Sequence, residues 1–180
     1  MLSRKEYREA QNKAADMIRD AGVVITDQEA KNIEVVDFGL SNLKAEGVQV
    51  LTLFSTERIA AKVLVLFPRQ TEPEHWHPPV GDDPGKEETV RVIDGIVRFF
   101  VPGADNMKHG VIPRGKDNDY TVRHEITMRP GDHITLEPGT RHWFQSDDRG
   151  AVMYSFSSCV RDALDQFTDP NIERATQICD

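Results

Sequence analysis

Cysteine is scarce in this sequence. Cys159 and Cys179 are the whole supply, and they fit neither a disulfide framework nor a zinc-finger spacing. Two free thiols in a reducing compartment is the simplest reading. Long apolar runs are missing as well: none approaches the ~18 residues of a membrane span. The opening Met-Leu-Ser-Arg-Lys-Glu-Tyr-Arg carries early charge but no apolar stretch, so it does not read as a secretory signal. These absences point to the cytoplasm. Positive charge is in deficit, with 22 Lys and Arg against 30 Asp and Glu and a net charge of −8. A nucleic-acid binder needs a basic footprint, so that class is excluded. Solenoid-length repeats and low-complexity linkers are also lacking. The 180 residues read as one domain, long enough to bury a core without disulfide staples.

The N-terminal part, residues 1–46, is expected to be a helical arm packed on a barrel. Over residues 3–21, Tyr7, Ala10, Ala14, Met17, Ile18 and Ala21 recur at helical spacing. Ser3 and Glu6 have capping-box spacing, and Gly22 ends the helix. A second short helix is expected to start at Thr26, with Glu29 in the same relation to it. Asp37-Phe38-Gly39-Leu40 reads as a loop. Residues 47–180 read as β structure. Expected strands are 48–54, 59–67, 75–77, 87–93, 96–101, 120–128, 133–136, 142–145 and 151–157. Asp94-Gly95, Pro102-Gly103, Pro130-Gly131-Asp132, Pro138-Gly139 and Arg149-Gly150 stand as turns between them. Many short strands with regular turns predict an all-β barrel or sandwich. The stretch 107–119 reads as an excursion between two halves of the barrel. The tail from Phe167 to Ile172 reads as a short helix or a strap across it.

The chemistry concentrates in the stretch 73–95. In a strand, residues i and i+2 share a face, so His75 and His77 present two imidazoles together while Trp76 faces away. Glu88 follows a Gly/Pro-rich connection, and His142 comes far downstream after Pro138-Gly139. Three imidazoles and a carboxylate suit a divalent first-row metal. The order His-x-His, Glu, six residues, Gly, then Gly131-Asp132, a strand, Pro-Gly and His resembles both halves of the cupin signature. That resemblance implies a double-stranded β-helix, or jelly-roll, barrel. Two departures are visible. Pro68-Arg69-Gln70-Thr71 stands where a glycine turn commonly precedes His-x-His. The gap from His77 to Glu88 is also longer than usual, so residues 78–85 must form a rim loop. Glu88 rather than Glu87 keeps the six-residue spacing to Gly95. Lys86, two residues before Glu88, shares its face if the strand has begun, and could then serve a substrate oxygen. Thr140 and Phe144 share the ligand face and could line a pocket. Arg98 and Asp169 could reach a polar substrate, with salt bridging as the default for each. His109, His124 and His133 match neither half of the signature.

Longer stretches go further. Pro73-Glu74-His75-Trp76-His77-Pro78-Pro79, Gly85-Lys86-Glu87-Glu88-Thr89, Tyr120-Thr121-Val122-Arg123-His124-Glu125-Ile126, His142-Trp143-Phe144-Gln145 and Phe167-Thr168-Asp169-Pro170 resemble the short form of the D-lyxose isomerase family. The resemblance spans about Gly22 to Ile172. It implies a manganese-dependent aldose–ketose isomerase that acts on D-lyxose and D-xylulose and also on D-mannose and D-fructose. It implies His75, His77, Glu88 and His142 as ligands, Lys86 beside the metal, and a homodimer paired through sheet edges and the N-terminal arm. Chelation of O1 and O2, with an enediolate stabilised by a Lewis acid, suits that reaction. The base stays open among Glu125, Asp169 and a metal-bound hydroxide, and a hydride shift is also compatible. Competing readings are a cupin dioxygenase, a phosphosugar isomerase in which Arg91, Arg98 and Lys62 converge, and a non-catalytic sugar-binding cupin.

Overall fold

The computed structural model describes residues 1–180. The chain enters with a two-residue strand β1 (Leu2–Ser3) and helix α1 (Arg4–Asp20), then helix α2 (Asp27–Lys31) and strand β2 (Glu34–Val36). Both helix starts carry the expected capping box: Ser3 with Glu6, and Thr26 with Glu29. The β region comprises β3 (Val48–Ser55), β4 (Ile59–Leu66), β5 (Thr71–Trp76), β6 (Glu88–Val101), β7 (His124–Met128), β8 (His133–Leu136) and β9 (His142–Ser158). A 3-10 turn at Asp162–Leu164 leads to β10 (Gln166–Phe167), and β11 (Ile178–Cys179) pairs with β1. No helix is long and apolar enough to cross a membrane.

The sheet is built around two long antiparallel strands, β6 and β9, paired along nearly their whole lengths. The other edge of β9 takes β4 along Ala151–Ser158 and β5 near His142–Gln145. The other edge of β6 takes β8 at its start and β7 at its end. Beyond β4 come β3 and β2. The result is a curled, mostly β architecture, as the motifs predict.

Two expected turns are not turns. Asp94-Gly95 and Arg149-Gly150 lie inside β6 and β9, and each strand bends there without ending. The register shifts on both sides of the bend, between Val92 and Asp94 and between Gly95 and Val97. Gly95 pairs with Ala151, at φ +81°, while Gly150 sits at φ +80°. A Cβ on Gly95 would collide with the Gly150 carbonyl oxygen. The dipeptides thus supply bulges that curl the sheet rather than reverse the chain. The expected strand 120–128 also starts late, at His124. The N–H groups of Thr121 and Val122 go to the Glu74 carboxylate and not to a ladder.

Alternation sorts the strands into two buried faces. Inside the curl lie Val48, Val50, Leu64, Leu66, Val90, Val92, Phe99, Phe144 and Met153, with Phe38 closing one end. On the outer face Leu51, Val63, Val65 and Val152 pack against Ala10, Ala14 and Ile18 of α1. The helix therefore covers the back of the sheet and leaves its concave side to the site.

The bend at Gly95 yields a direct prediction. Gly95→Ala should lower unfolding stability by ~3 kcal/mol, since positive φ costs 1–3 kcal/mol before the collision is added. Chemical denaturation of the purified variant measures this, and a loss below ~0.5 kcal/mol would contradict the account.

Candidate metal centre

The imidazoles of His75, His77 and His142 meet on the concave side, all buried, with ligand atoms within 4.8 Å of one another. His75 and His142 face each other across the β5–β9 ladder, where they pair directly. Their ring centroids are 4.2 Å apart, and His77 is 5.3 Å from each. Trp76 turns away, as alternation requires, and lies under the Arg141 guanidinium.

Each ring gives its Nδ1 to an acceptor behind it. His75 donates to the Pro73 carbonyl at 2.8 Å and His142 to the Thr140 carbonyl at 2.8 Å. A carbonyl can only accept, so both rings carry their proton on Nδ1 and leave a lone pair on Nε2. His77 donates to the Asp165 carboxylate at 2.7 Å, and its Nε2 meets Glu88 Oε2 at 3.0 Å. Burial, then the neighbouring His142 and His77, holds the His75 pKa well below the ordinary value. Burial and His77 push His142 down to about 4. Both are therefore neutral donors at neutral pH. His142 Nε2 is buried with no hydrogen-bond partner. An orphaned lone pair beside two more imidazoles and a carboxylate is what a cation would satisfy, so these residues fit a divalent first-row metal.

Glu88 sits at the inward start of β6. Burial opposes its charge, but Lys86 and His77 keep its pKa well below the ordinary value. Its other oxygen accepts from Ser155 of the neighbouring β9, two residues from its ladder partner Ser157. Glu87, one residue away, is exposed. Lys86 is buried with Nζ 3.4 Å from Glu88 Oε2 and 3.5 Å from Asp162 Oδ1. Burial works against its ammonium, yet the surrounding carboxylates raise its pKa and keep it charged.

The cavity beside this cluster is lined by Val48, Val50, Leu64 and Phe144 on its apolar walls. Its polar lining includes Lys62, named above only for the phosphosugar reading, and four residues that sequence spacing did not single out: Glu72, Asp162, Asp165 and Arg174. Glu72 stands 3.8 Å from His75 Nε2, and its Oε2 is buried without a partner. Burial and the Glu88 charge push its pKa up to about 8. A register shift between Glu72 and His75 puts these residues on one face despite an odd spacing, which period-2 reading cannot see. Lys62 left a visible signal, a lone lysine inside the apolar run 59–67. Asp162, Asp165 and Arg174 come from an irregular tail with no periodicity to read.

Three other candidates are not brought to the cavity. Glu125 turns its carboxylate to the N–H groups of Lys108, His109 and Gly110 and caps that loop. Arg98 lies beside it, with Nη1 donating to Thr127 at 2.8 Å. Asp169 binds Lys116 at 2.8 Å, and Lys116 in turn binds Glu46, which accepts from Tyr120. Glu125 and Asp169 are spent on anchoring loops to the barrel, and Arg98 on a bond across the β6–β7 ladder. Thr140 reaches the centre through its carbonyl on His142, while Phe144 lines the wall. His124 binds the Ala104 carbonyl, and His109 and His133 are exposed.

A curled antiparallel barrel with three buried imidazoles on its concave face defines the class: a cupin-type protein with a centre able to hold a metal ion. The chain belongs to the D-lyxose isomerase family, whose model matches residues 1–180. It is 49% identical to the D-lyxose ketol-isomerase of Cohnella laeviribosi over 170 residues, covering 94% of this chain and 93% of that protein. It is 46% identical to the D-lyxose/D-mannose isomerase of Thermosediminibacter oceani over the full length of both. In fold it is similar to the L-ribose isomerase of Cellulomonas parahominis, with a TM-score of 0.84 and 16% identity over 99% of this chain and 98% of that one.

Asp169 offers a check on its anchoring role. Burial opposes its charge, but hydrogen bonds from Lys116 and Asn171 overcome this and lower its pKa. Its contribution to stability is therefore complete above the ordinary carboxyl value of about 3.9 and is lost as pH falls through the lower native value. Asp169→Asn should cost about 1–3 kcal/mol at neutral pH. The gap from wild type should shrink below about pH 4, as paired denaturation curves would show.

Proposed function

We propose that this protein is a metal-dependent aldose–ketose isomerase that interconverts D-lyxose and D-xylulose, with D-mannose and D-fructose as a second pair. The observation that carries the reading is the convergence of three buried imidazoles beside the Lys86–Glu88 pair. The sugar is supported by the relatives, named for D-lyxose in one case and for D-lyxose and D-mannose in the other. His75, His77, Glu88 and His142 are the proposed ligands, and Mn²⁺ the proposed metal. When bound, the metal supplies Lewis-acid polarisation of the two sugar oxygens that exchange carbonyl and hydroxyl character.

The remaining work falls to side chains. A proton must leave C2 and a proton must arrive at C1, while another moves between the two oxygens. Lys86, buried and kept charged by Glu88 and Asp162, is the proposed partner of the oxygens. Glu72 takes the place that Glu125 and Asp169 do not fill. Its unpartnered oxygen and its pKa near 8 suit a base that accepts the carbon-bound proton and returns it to the neighbouring carbon. The walls formed by Val48, Val50, Leu64 and Phe144 limit water around the exchanging groups.

The test is a coupled aldose assay on protein stripped with chelator and restored with Mn²⁺. D-xylulose should form from D-lyxose, and D-mannose should also turn over. Tight Mn²⁺ binding with turnover of neither sugar would overturn the substrate assignment. Lys86→Ala and Glu72→Gln should each retain Mn²⁺ and lose on the order of 10²–10⁴-fold in kcat. Wild-type turnover in either variant would remove that residue from the mechanism.

A further inference from the structure

The three imidazoles are not held alike. His75 and His142 are oriented by carbonyls two residues away in their own segments. His77 depends on a side chain 88 residues distant, the Asp165 carboxylate. Asp165 belongs to the C-terminal segment, which walls one side of the cavity with Asp162 and Asp165. That segment is attached to the barrel by Thr168 on Glu74 and by Phe167 against Phe38, and to the centre by a few further contacts. Asp162 pairs with Lys62 and also approaches Lys86. β10 pairs with β5 at Trp76 and His75, and the Phe167 ring lies 5.7 Å from the His75 ring. Thr168 donates its N–H to the Glu74 carbonyl at 3.1 Å. Farther on, Arg174 is tied to Glu34.

We infer that Asp165 is a positioning residue for the metal centre, and that metal binding and closure of the segment 162–168 over the cavity are coupled through the Asp165–His77 bond. The inference rests on the metal reading proposed above. A carboxylate behind a ligating imidazole fixes the ring and raises its basicity. Without it, His77 is the one ring of the three with no acceptor behind its Nδ1, held only by Glu88 on the metal side. Coupling is reciprocal, so a metal that favours the aimed ring also favours the closed segment. The strap is then part of the site, since the sugar cavity is walled by Asp162 and Asp165 when it is closed.

The test uses the full chain, stripped of metal, with Mn²⁺ alone as the probe and the electron paramagnetic resonance signal of free Mn²⁺ as readout. Asp165→Ala should weaken binding by roughly 10–100-fold. Asp165→Asn keeps an acceptor oxygen for the ring and should recover part of that loss. It also serves as the test variant if Asp165→Ala fails to fold. Hydrogen exchange supplies a readout that a merely structural role would not move. Mn²⁺ should slow exchange of the Thr168 amide in the wild type and fail to do so in Asp165→Ala. A wild type that binds while both variants bind within twofold of it would overturn this inference alone. Equal metal-induced protection in wild type and Asp165→Ala would do the same. A wild type that binds no Mn²⁺ overturns the metal reading, and this inference with it.

Discussion

Three imidazoles share one small buried volume only because each hands its Nδ1 proton to an acceptor behind it. With two of those acceptors being carbonyls, His75 and His142 are locked in one tautomer and present lone pairs to a common point. Their burial keeps them neutral, so the cluster escapes the repulsion of three cations. The carboxylates and cations around it are tolerated inside a barrel because they are matched: Lys86 with Glu88 and Asp162, Lys62 with Asp162, Arg174 with Glu34 and Asp162. Unmatched groups at such depth would cost several kcal/mol each. Glu72 is the exception, since its nearest opposing groups do not offset its burial and it carries a raised pKa.

That arrangement requires a concave surface, and the concavity comes from the paired bends of β6 and β9. A flat sheet would set Glu88 and His142 on one plane with no enclosed volume between them. The bulges around Gly95, met by Gly150 on the neighbouring strand, turn both halves inward. Helix α1 covers the opposite face and leaves the concave side free. The apolar residues deeper in the curl, among them Val90, Val92, Phe99 and Met153, supply the rigid floor on which the polar mouth is built.

Much of this was legible in residue order. The capping boxes at Ser3 and Thr26, the β character from Val48 onward and the family resemblance are carried by local patterns, and local patterns are what a sequence displays. The pair His75 and His77 was legible because both flank Trp76 in plain alternation. Glu88 was separable from Glu87 by its spacing to Gly95, and the structure buries the first and exposes the second. Turn chemistry misled at Asp94-Gly95 and Arg149-Gly150, because a glycine at positive φ serves a bulge as well as a reversal. Glu125 and Asp169 looked available as acids or bases. Each is instead consumed by loop anchoring, through partners 15 and more residues away.

The sequence by itself determined the fold class and the family, and it set the histidines, Glu88 and Lys86 in their motif spacing, since spacing within a strand and within a motif is a one-dimensional property. Only the tertiary structure decided which acidic residues face the cavity. Glu72 reaches it through a register shift, and Asp162 and Asp165 reach it from a tail without periodicity. Their positions follow from where the chain returns in space, and side-chain alternation carries no record of that return.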